Sequence, residues 1–381
     1  DHVPEMSDAV VTRLQNRGGI VYAKTNTPEF GAGAQTFNEV FGTTRNPWHT
    51  DYTPGGSSGG SAVALATGGA WLAQGSDLGG SLRIPAAFTG VVGLRPTPGR
   101  VPRGPSTAAF STLDVDGPMA RNVADLGLML DAMAGLYPGD PLSREAEPGV
   151  FEAAATSPMR PRRVAVSVDL GIVPVAAAVR DAFARAVDRL AAEGVEIVAL
   201  DTDFSAAESS FKALRAGLMA TIHEDLLTRH RARMKPDLVW NIEHGLGLTA
   251  AVLGRGERDR AAMTHGLLRT LADVDLVLTP TVLTPPFPHV IRALDEIEGH
   301  RFETYVSWLA LTFAITLTGT PALSLPAGMM PVSPAGGGAP VDLPFGLQVI
   351  GRSADEAGLL ARAAWMESVF TPRHLVPIDP R

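Results

Sequence analysis

The chain has 381 residues, 45% hydrophobic and 19% charged, enough apolar surface for a large core and too ordered a composition for a disordered chain. Its 32 basic and 40 acidic residues leave a net charge of −8, which argues against a nucleic-acid-binding surface. The absence of cysteine excludes disulfides, thiolate nucleophiles and cysteine metal sites, and suits a reducing, cytoplasmic location.

In chain order, Ser7 is placed to cap a helix with Val10, Val11 and Leu14 on one face, ending at Gly18. Residues 20–23 read as a short strand, and a long loop follows through Asn26, Pro28, Asn46 and Pro54. Between Gly55 and Gly104 lie 13 of the 40 glycines, a density expected where main chain turns tightly or approaches a ligand. Val123, Leu126, Leu130 and Met133 have helical spacing, and Gly135 stops that helix. Residues 137–161 read as a loop-rich connection.

A strand over 163–168, a helix carrying Val179, Phe183, Val187 and Leu190, and a strand over 195–200 form a βαβ crossover, which implies a parallel pair. Residues 206–272 read as mostly helical, 276–279 as a strand, 331–340 as a flexible loop and 345–350 as a late strand. Ser353-Ala354-Asp355-Glu356 has a capping-box pattern that opens the last helix. The fold class is α/β. Two uncharged runs, 53–76 and 305–341, are long enough to span a membrane. Their glycines and prolines, among them Gly55, Gly56, Gly319, Pro321 and Pro326, mark them instead as buried segments.

Two segments concentrate the chemistry: Gly55-Gly56-Ser57-Ser58-Gly59-Gly60-Ser61-Ala62, and Gly75-Ser76-Asp77-Leu78-Gly79-Gly80-Ser81-Leu82-Arg83-Ile84-Pro85. A serine after consecutive glycines has an uncrowded hydroxyl, and the preceding amides can converge on one point as an oxyanion hole does. A P-loop would need a Gly-Lys-Ser/Thr sequence and a dinucleotide fingerprint a G-x-G-x-x-G after a strand; neither is present. Gly55–Gly59 fits a degenerate nucleophile elbow, but the glycines run well past one. None of the nine histidines, including His223, His230, His289 and His300, has metal-ligand spacing, so no metal is expected.

Together the two segments closely resemble the amidase signature family, whose serine hydrolases carry GGSSGGSA followed by G-[ST]-D-x-G-G-S-[IL]-R-x-P. The blocks Lys24–Phe30, Gly42–Trp48, Gly93–Thr97, Gly117–Arg121, Gly319–Pro326 and Gly346–Gln348 extend the likeness over nearly the whole chain, weakest at 140–300. The resemblance implies one amidase signature domain over 1–381, with a large mixed β-sheet covered by helices on both faces. It places a signature core at 20–135 and a helical variable region at about 201–272. It further implies hydrolysis of a small-molecule amide to acid plus ammonia or amine, without a cofactor, nucleic acid or membrane, by a protein that forms a homodimer.

The implied roles follow position by position. Ser81 matches the acyl-forming nucleophile and Ser57 the cis-peptide serine that relays protons. The N–H groups of Leu78, Gly79, Gly80 and Ser81 match the oxyanion hole. Asp77 and Arg83 read as an ion pair that shapes the loop, and Ser58 and Ser76 as hydrogen-bonding supports.

The family's base is a neutral lysine upstream of the block corresponding to Lys24. The only lysines are Lys24, Lys212 and Lys235, the last two read as solvated surface charges. The chain is therefore expected to be N-terminally incomplete and impaired as it stands. The family also contains the A subunit of the aminoacyl-tRNA amidotransferase, but residues 101–117 lack that subunit's tyrosine and glutamine, which favours a free-standing amidase. A non-catalytic binding module is the remaining alternative.

Overall fold

The computed structural model describes residues 3–333, 339–370 and 377–380. Its core is one eight-stranded mixed sheet with helices on both faces. The chain enters through α1 (Ala9–Asn16), a short turn at Glu29–Gly31, and a ribbon of β1 (Phe37–Asn38) and β2 (Gly42–Thr43). Next come α2 (Gly59–Ala66), β3 (Leu72–Asp77), α3 (Arg83–Thr89), β4 (Val92–Arg95), β5 (Val115–Ala120) and α4 (Val123–Met133). A second stretch holds α5 (Val150–Ala155), β6 (Arg163–Val166), α6 (Ala177–Ala192) and β7 (Glu196–Ala199). Three helices then stand together: α7 (Ala207–His230), α8 (Pro236–Leu246) and α9 (Ala250–Asp273). The chain closes with β8 (Leu276–Pro280), a ribbon of β9 (Glu296–Ile297) and β10 (His300–Arg301), α10 (Ala310–Thr318), β11 (Ala322–Val332), β12 (Val341–Ile350) and α11 (Glu356–Phe370).

The strand order is β3-β5-β4-β11-β12-β8-β6-β7. Pairing is antiparallel from β3 to β8 and parallel from β8 through β6 to β7. The parallel end contains the expected βαβ unit, with Arg163 opposite Glu196 and Val166 opposite Ala199. Its helix buries Val179, Phe183 and Leu190 as the spacing requires. The centre of the sheet explains the uncharged run after residue 305. All nine residues of α10 are buried, and β11 lies between β4 and β12. A helix apolar on every side belongs inside a protein core. Among the described residues no helix is long and apolar enough to cross a membrane.

Several local expectations are corrected. Residues 20–23 form no strand; Ile20, Val21 and Tyr22 are exposed and outside any regular element, because an apolar run alone does not supply a pairing partner. The first helix begins at Ala9 after Asp8, with no side-chain cap from Ser7. The connection 137–161 contains the short helix α5, which packs against α4 and α11. The loop expected at 331–340 begins inside β11, and residues 334–338 lie outside the described residues.

The capping box at 353–356 is also replaced. Asp355 caps α11 by accepting from Gly358 N at 2.9 Å, whereas the Glu356 carboxylate turns inward. It accepts from Thr97 N at 2.9 Å and from Arg100 Nε at 2.8 Å, tying the end of the chain to the loop after β4. Removing one partner of a buried pair strands the other charge. Glu356→Ala is therefore expected to cost about 3 kcal/mol, measured as a fall in the urea midpoint at unchanged slope.

Candidate active site

The two glycine–serine segments pack against each other. The first leaves Pro54, makes a cis peptide between Gly56 and Ser57, and enters α2 at Gly59. The second leaves the end of β3 and enters α3 at Arg83. Ser58 N donates to Ser81 O at 3.1 Å, which fixes the two turns together. A side chain at Gly55 would lie 3.0 Å from Ile84 Cγ2, and one at Gly60 would lie 2.5 Å from the main chain of Asn26. Glycine is required at both positions because neighbouring chain fills the space.

Ser58 accepts from Ser76 N at 3.2 Å and donates to Ser76 O at 3.3 Å, so it braces the turn through its hydroxyl. Ser76 takes part through its main chain. Ser61 repeats the arrangement, donating to Gln74 O at 2.9 Å beside Thr25 Oγ1.

Asp77 organises the second turn. Its carboxylate accepts from Gly80 N at 2.9 Å, Leu82 N at 3.2 Å, Arg83 Nε at 3.0 Å and Arg83 Nη2 at 2.9 Å. Arg95 Nη1 lies 3.4 Å away and also donates to the Asp77 carbonyl. Arg83 completes its five donors with Thr312 O, Gln348 Oε1 and Thr316 Oγ1, at 3.0, 2.6 and 2.8 Å. All three charged side chains are fully buried. Burial alone would raise the Asp77 pKa, but the charge and hydrogen bonds of Arg83, with Arg95, hold it at about 2.

This network shapes the main chain before Ser81. Gly80 has φ +130°, and a Cβ there would lie 2.4 Å from Thr312 Oγ1. Thr312 Oγ1 donates to Gly79 O at 2.6 Å, which turns that carbonyl away from the serine. Among the described residues, the N–H groups of Leu78, Gly79 and Ser81 have no protein acceptor. The Gly80 N–H differs, because Asp77 Oδ1 takes it. Of the four expected amides, three are therefore without a protein acceptor among the described residues.

Ser57 is buried and Ser81 half-buried, and no hydrogen bond joins their hydroxyls. A Cβ at Gly31 would stand 4.0 Å from Ser57 Oγ, so the turn at Glu29–Gly31 borders that hydroxyl. The other wall comes from the helical region. Phe211 of α7 would touch a Gly79 Cβ at 2.9 Å and stacks on Phe313. Leu78 packs into a cluster with Ala32, Met219, Leu227, Leu238, Val239 and Ile242. Of other aromatic side chains, Trp308 is buried in the core, Phe110 is exposed, and Trp240 is exposed beside His244 and Tyr305.

None of the three lysines makes a hydrogen bond to Ser57. Lys24 is exposed, and Lys212 pairs with Glu208 and Glu303 at 2.9 and 2.8 Å. Lys235 is not the solvated charge its helical context suggests. It is half-buried before α8, where Nζ donates to Ala32 O and lies over the Phe37 ring. Burial lowers its pKa against the opposing pull of Asp237 and Glu29. His223 packs edge-on against Phe30, and burial lowers its pKa as well. Among the described residues no group of three metal-ligating side chains converges.

Because Asp77 titrates at about 2 when folded against 3.8 in its unperturbed state, its ionised form stabilises the protein above pH 3.8. That contribution, about 2 kcal/mol, is lost as the pH falls from 4 towards 2. Asp77→Asn should be less stable at pH 7 and lose less stability than the wild type between pH 5 and pH 2.5, read from urea midpoints across that range.

The sequence profile of the amidase family matches residues 1–360. The A subunit of glutamyl-tRNA(Gln) amidotransferase from Synechococcus sp. (strain CC9902) is 33% identical over 410 residues, spanning 99% of this chain and 80% of that protein. Its counterpart from Thermus thermophilus is 35% identical over 408 residues, spanning 98% and 80%. Among solved structures, a bacterial aryl acylamidase of the amidase signature family matches with a TM-score of 0.87 at 25% identity, over 99% of this chain and 79% of that one. A crystal structure described as an amidase matches with a TM-score of 0.80 at 30% identity, over 97% and 78%. The chain belongs to the amidase family, and its fold is that of the amidase signature enzymes.

Proposed function

We propose that the protein hydrolyses a carboxylic amide to the acid plus ammonia or amine, through an acyl-enzyme on Ser81. The observation that carries this reading is the half-buried Ser81 hydroxyl at the end of a turn with three unpartnered N–H groups, packed against the buried Ser57 segment. Ser57 takes the proton of Ser81 as the Ser81 oxygen attacks the amide carbon, passing its own proton to a base. The oxyanion forms against the amides of Leu78, Gly79 and Ser81. The carbon–nitrogen bond then breaks as Ser57 protonates the departing nitrogen, and water repeats the sequence on the ester. Each oxyanion donor is worth ~3 kcal/mol of barrier.

The family resemblance calls for a neutral lysine behind Ser57. None of Lys24, Lys212 and Lys235 is hydrogen-bonded to Ser57, so on this reading the 381-residue chain is weak or inactive alone. In a form carrying upstream sequence, hydrolysis of p-nitroacetanilide should fall at least about a thousandfold in Ser81→Ala. It should fall roughly a hundredfold in Ser57→Ala, with both variants folded. A normal rate in Ser81→Ala would falsify the assignment.

A second reading, the glutaminase component of an amidotransferase, is favoured by the names of the relatives in Synechococcus and Thermus. It predicts glutamine hydrolysis that rises when the other components are added. Glutaminase activity absent with and without those components would exclude it.

A further inference from the structure

Among the described residues four arginines are more than nine-tenths buried: Arg83, Arg95, Arg100 and Arg215. The first two share Asp77, and Arg100 pairs with Glu356. Arg215 has no carboxylate within 4 Å among the described residues. Its Nη1 donates to Asn241 Oδ1, its Nη2 donates to Tyr305 Oη at 2.8 Å, and its Cζ lies 5.6 Å from the Tyr305 ring centroid. These partners are neutral and engage two of its five donors. A buried charge held only by neutral groups is costly, and it becomes favourable when an anion joins it.

The position of Arg215 is set by α7. Residues 211, 215 and 219 recur every four positions and so share one face of the helix. Phe211 touches the oxyanion turn at Gly79, and Met219 packs with Leu78 and Ala32 in the same cluster. Arg215 stands between those two contacts. Its partner Asn241 lies between Leu238 and Ile242 of α8, both members of that cluster. Lys235, at the start of α8, adds a second cation to this wall: among the described residues its Nζ has no carboxylate within 4 Å, while Glu29 Oε1 accepts from its main-chain N at 3.0 Å. Both cations therefore belong to the helical wall that packs against the Leu78–Gly79 turn.

We propose that Arg215, positioned by Asn241 and Tyr305, binds a carboxylate on the acyl part of the substrate, so that the preferred substrates are amides that carry a second, anionic carboxyl group. This inference rests on the reading of the Leu78–Ser81 turn as the amide site. A charge-assisted pair of this kind is worth roughly a ten- to hundredfold difference in affinity.

The test is calorimetric titration of the full chain carrying Ser81→Ala, which binds without turnover, with succinamate and with butyramide. The two share a carboxamide and chain length and differ in a carboxylate against a methyl group. Succinamate should bind at least tenfold more tightly. Adding Arg215→Gln should abolish that preference with butyramide binding unchanged, and Arg215→Lys should restore part of it. Equal affinities, no measurable binding of succinamate, or a preference that survives in folded Arg215→Gln would overturn the proposal. If Arg215→Gln does not fold, Tyr305→Phe decides: the preference should fall several-fold, and an unchanged preference is a refutation. Fluorophosphonate labelling of Ser81 reads the hydrolase assignment separately. Labelling without a carboxylate preference removes only the present inference, and a preference without labelling removes only the hydrolase.

Discussion

The Asp77 carboxylate is the point on which the site depends. Taking one carboxylate and two guanidinium groups out of water costs several kcal/mol per ion unless every donor and acceptor is matched. The match is close to complete, with four short contacts to Asp77 and all five donors of Arg83 engaged. Only Arg95 Nε is left without a partner. Burial lowers the Arg95 pKa to about 10, against the opposing pull of Asp77. The acceptors for Arg83 come from Thr312, Thr316 and Gln348, more than 200 residues away in the chain. The shape of the glycine turn therefore depends on contacts with α10 and β12.

Much of the scaffold was readable because local chemistry and tertiary demand agree. The βαβ unit shows alternating Val164, Val166 and Val168, then helical spacing, then alternation again, and the structure pairs β6 with β7 in parallel. The two glycine–serine segments were readable for a different reason. Gly80 combines a positive φ with a neighbour 2.4 Å from where a Cβ would be, so no other residue fits, and the constraint is written into the sequence.

What the sequence hid depends on distant partners. Residues 20–23 have the apolar pattern of a strand, but pairing is a property of two segments and that pattern describes one. Glu356 sits where a capping box would place it, yet Thr97 and Arg100 draw it inward. The Gly80 amide looks like the rest of its turn until Asp77 is seen to hold it. Lys235 stands in polar surroundings and Arg215 among Ala213, Leu214, Ala216 and Leu218, and neither local context names the partners that bury it. Their burial becomes visible only when α7, α8 and the turn at Ala32 come together.

The central claim is that the Asp77 network presents Ser81 as the attacking group. The most direct measurement is fluorophosphonate labelling with peptide mass mapping, on this chain and on a form extended upstream. The account predicts a single adduct on Ser81 in the extended form, lost when Ser57 is replaced by alanine. An adduct on a different serine, or none in either form, would contradict it.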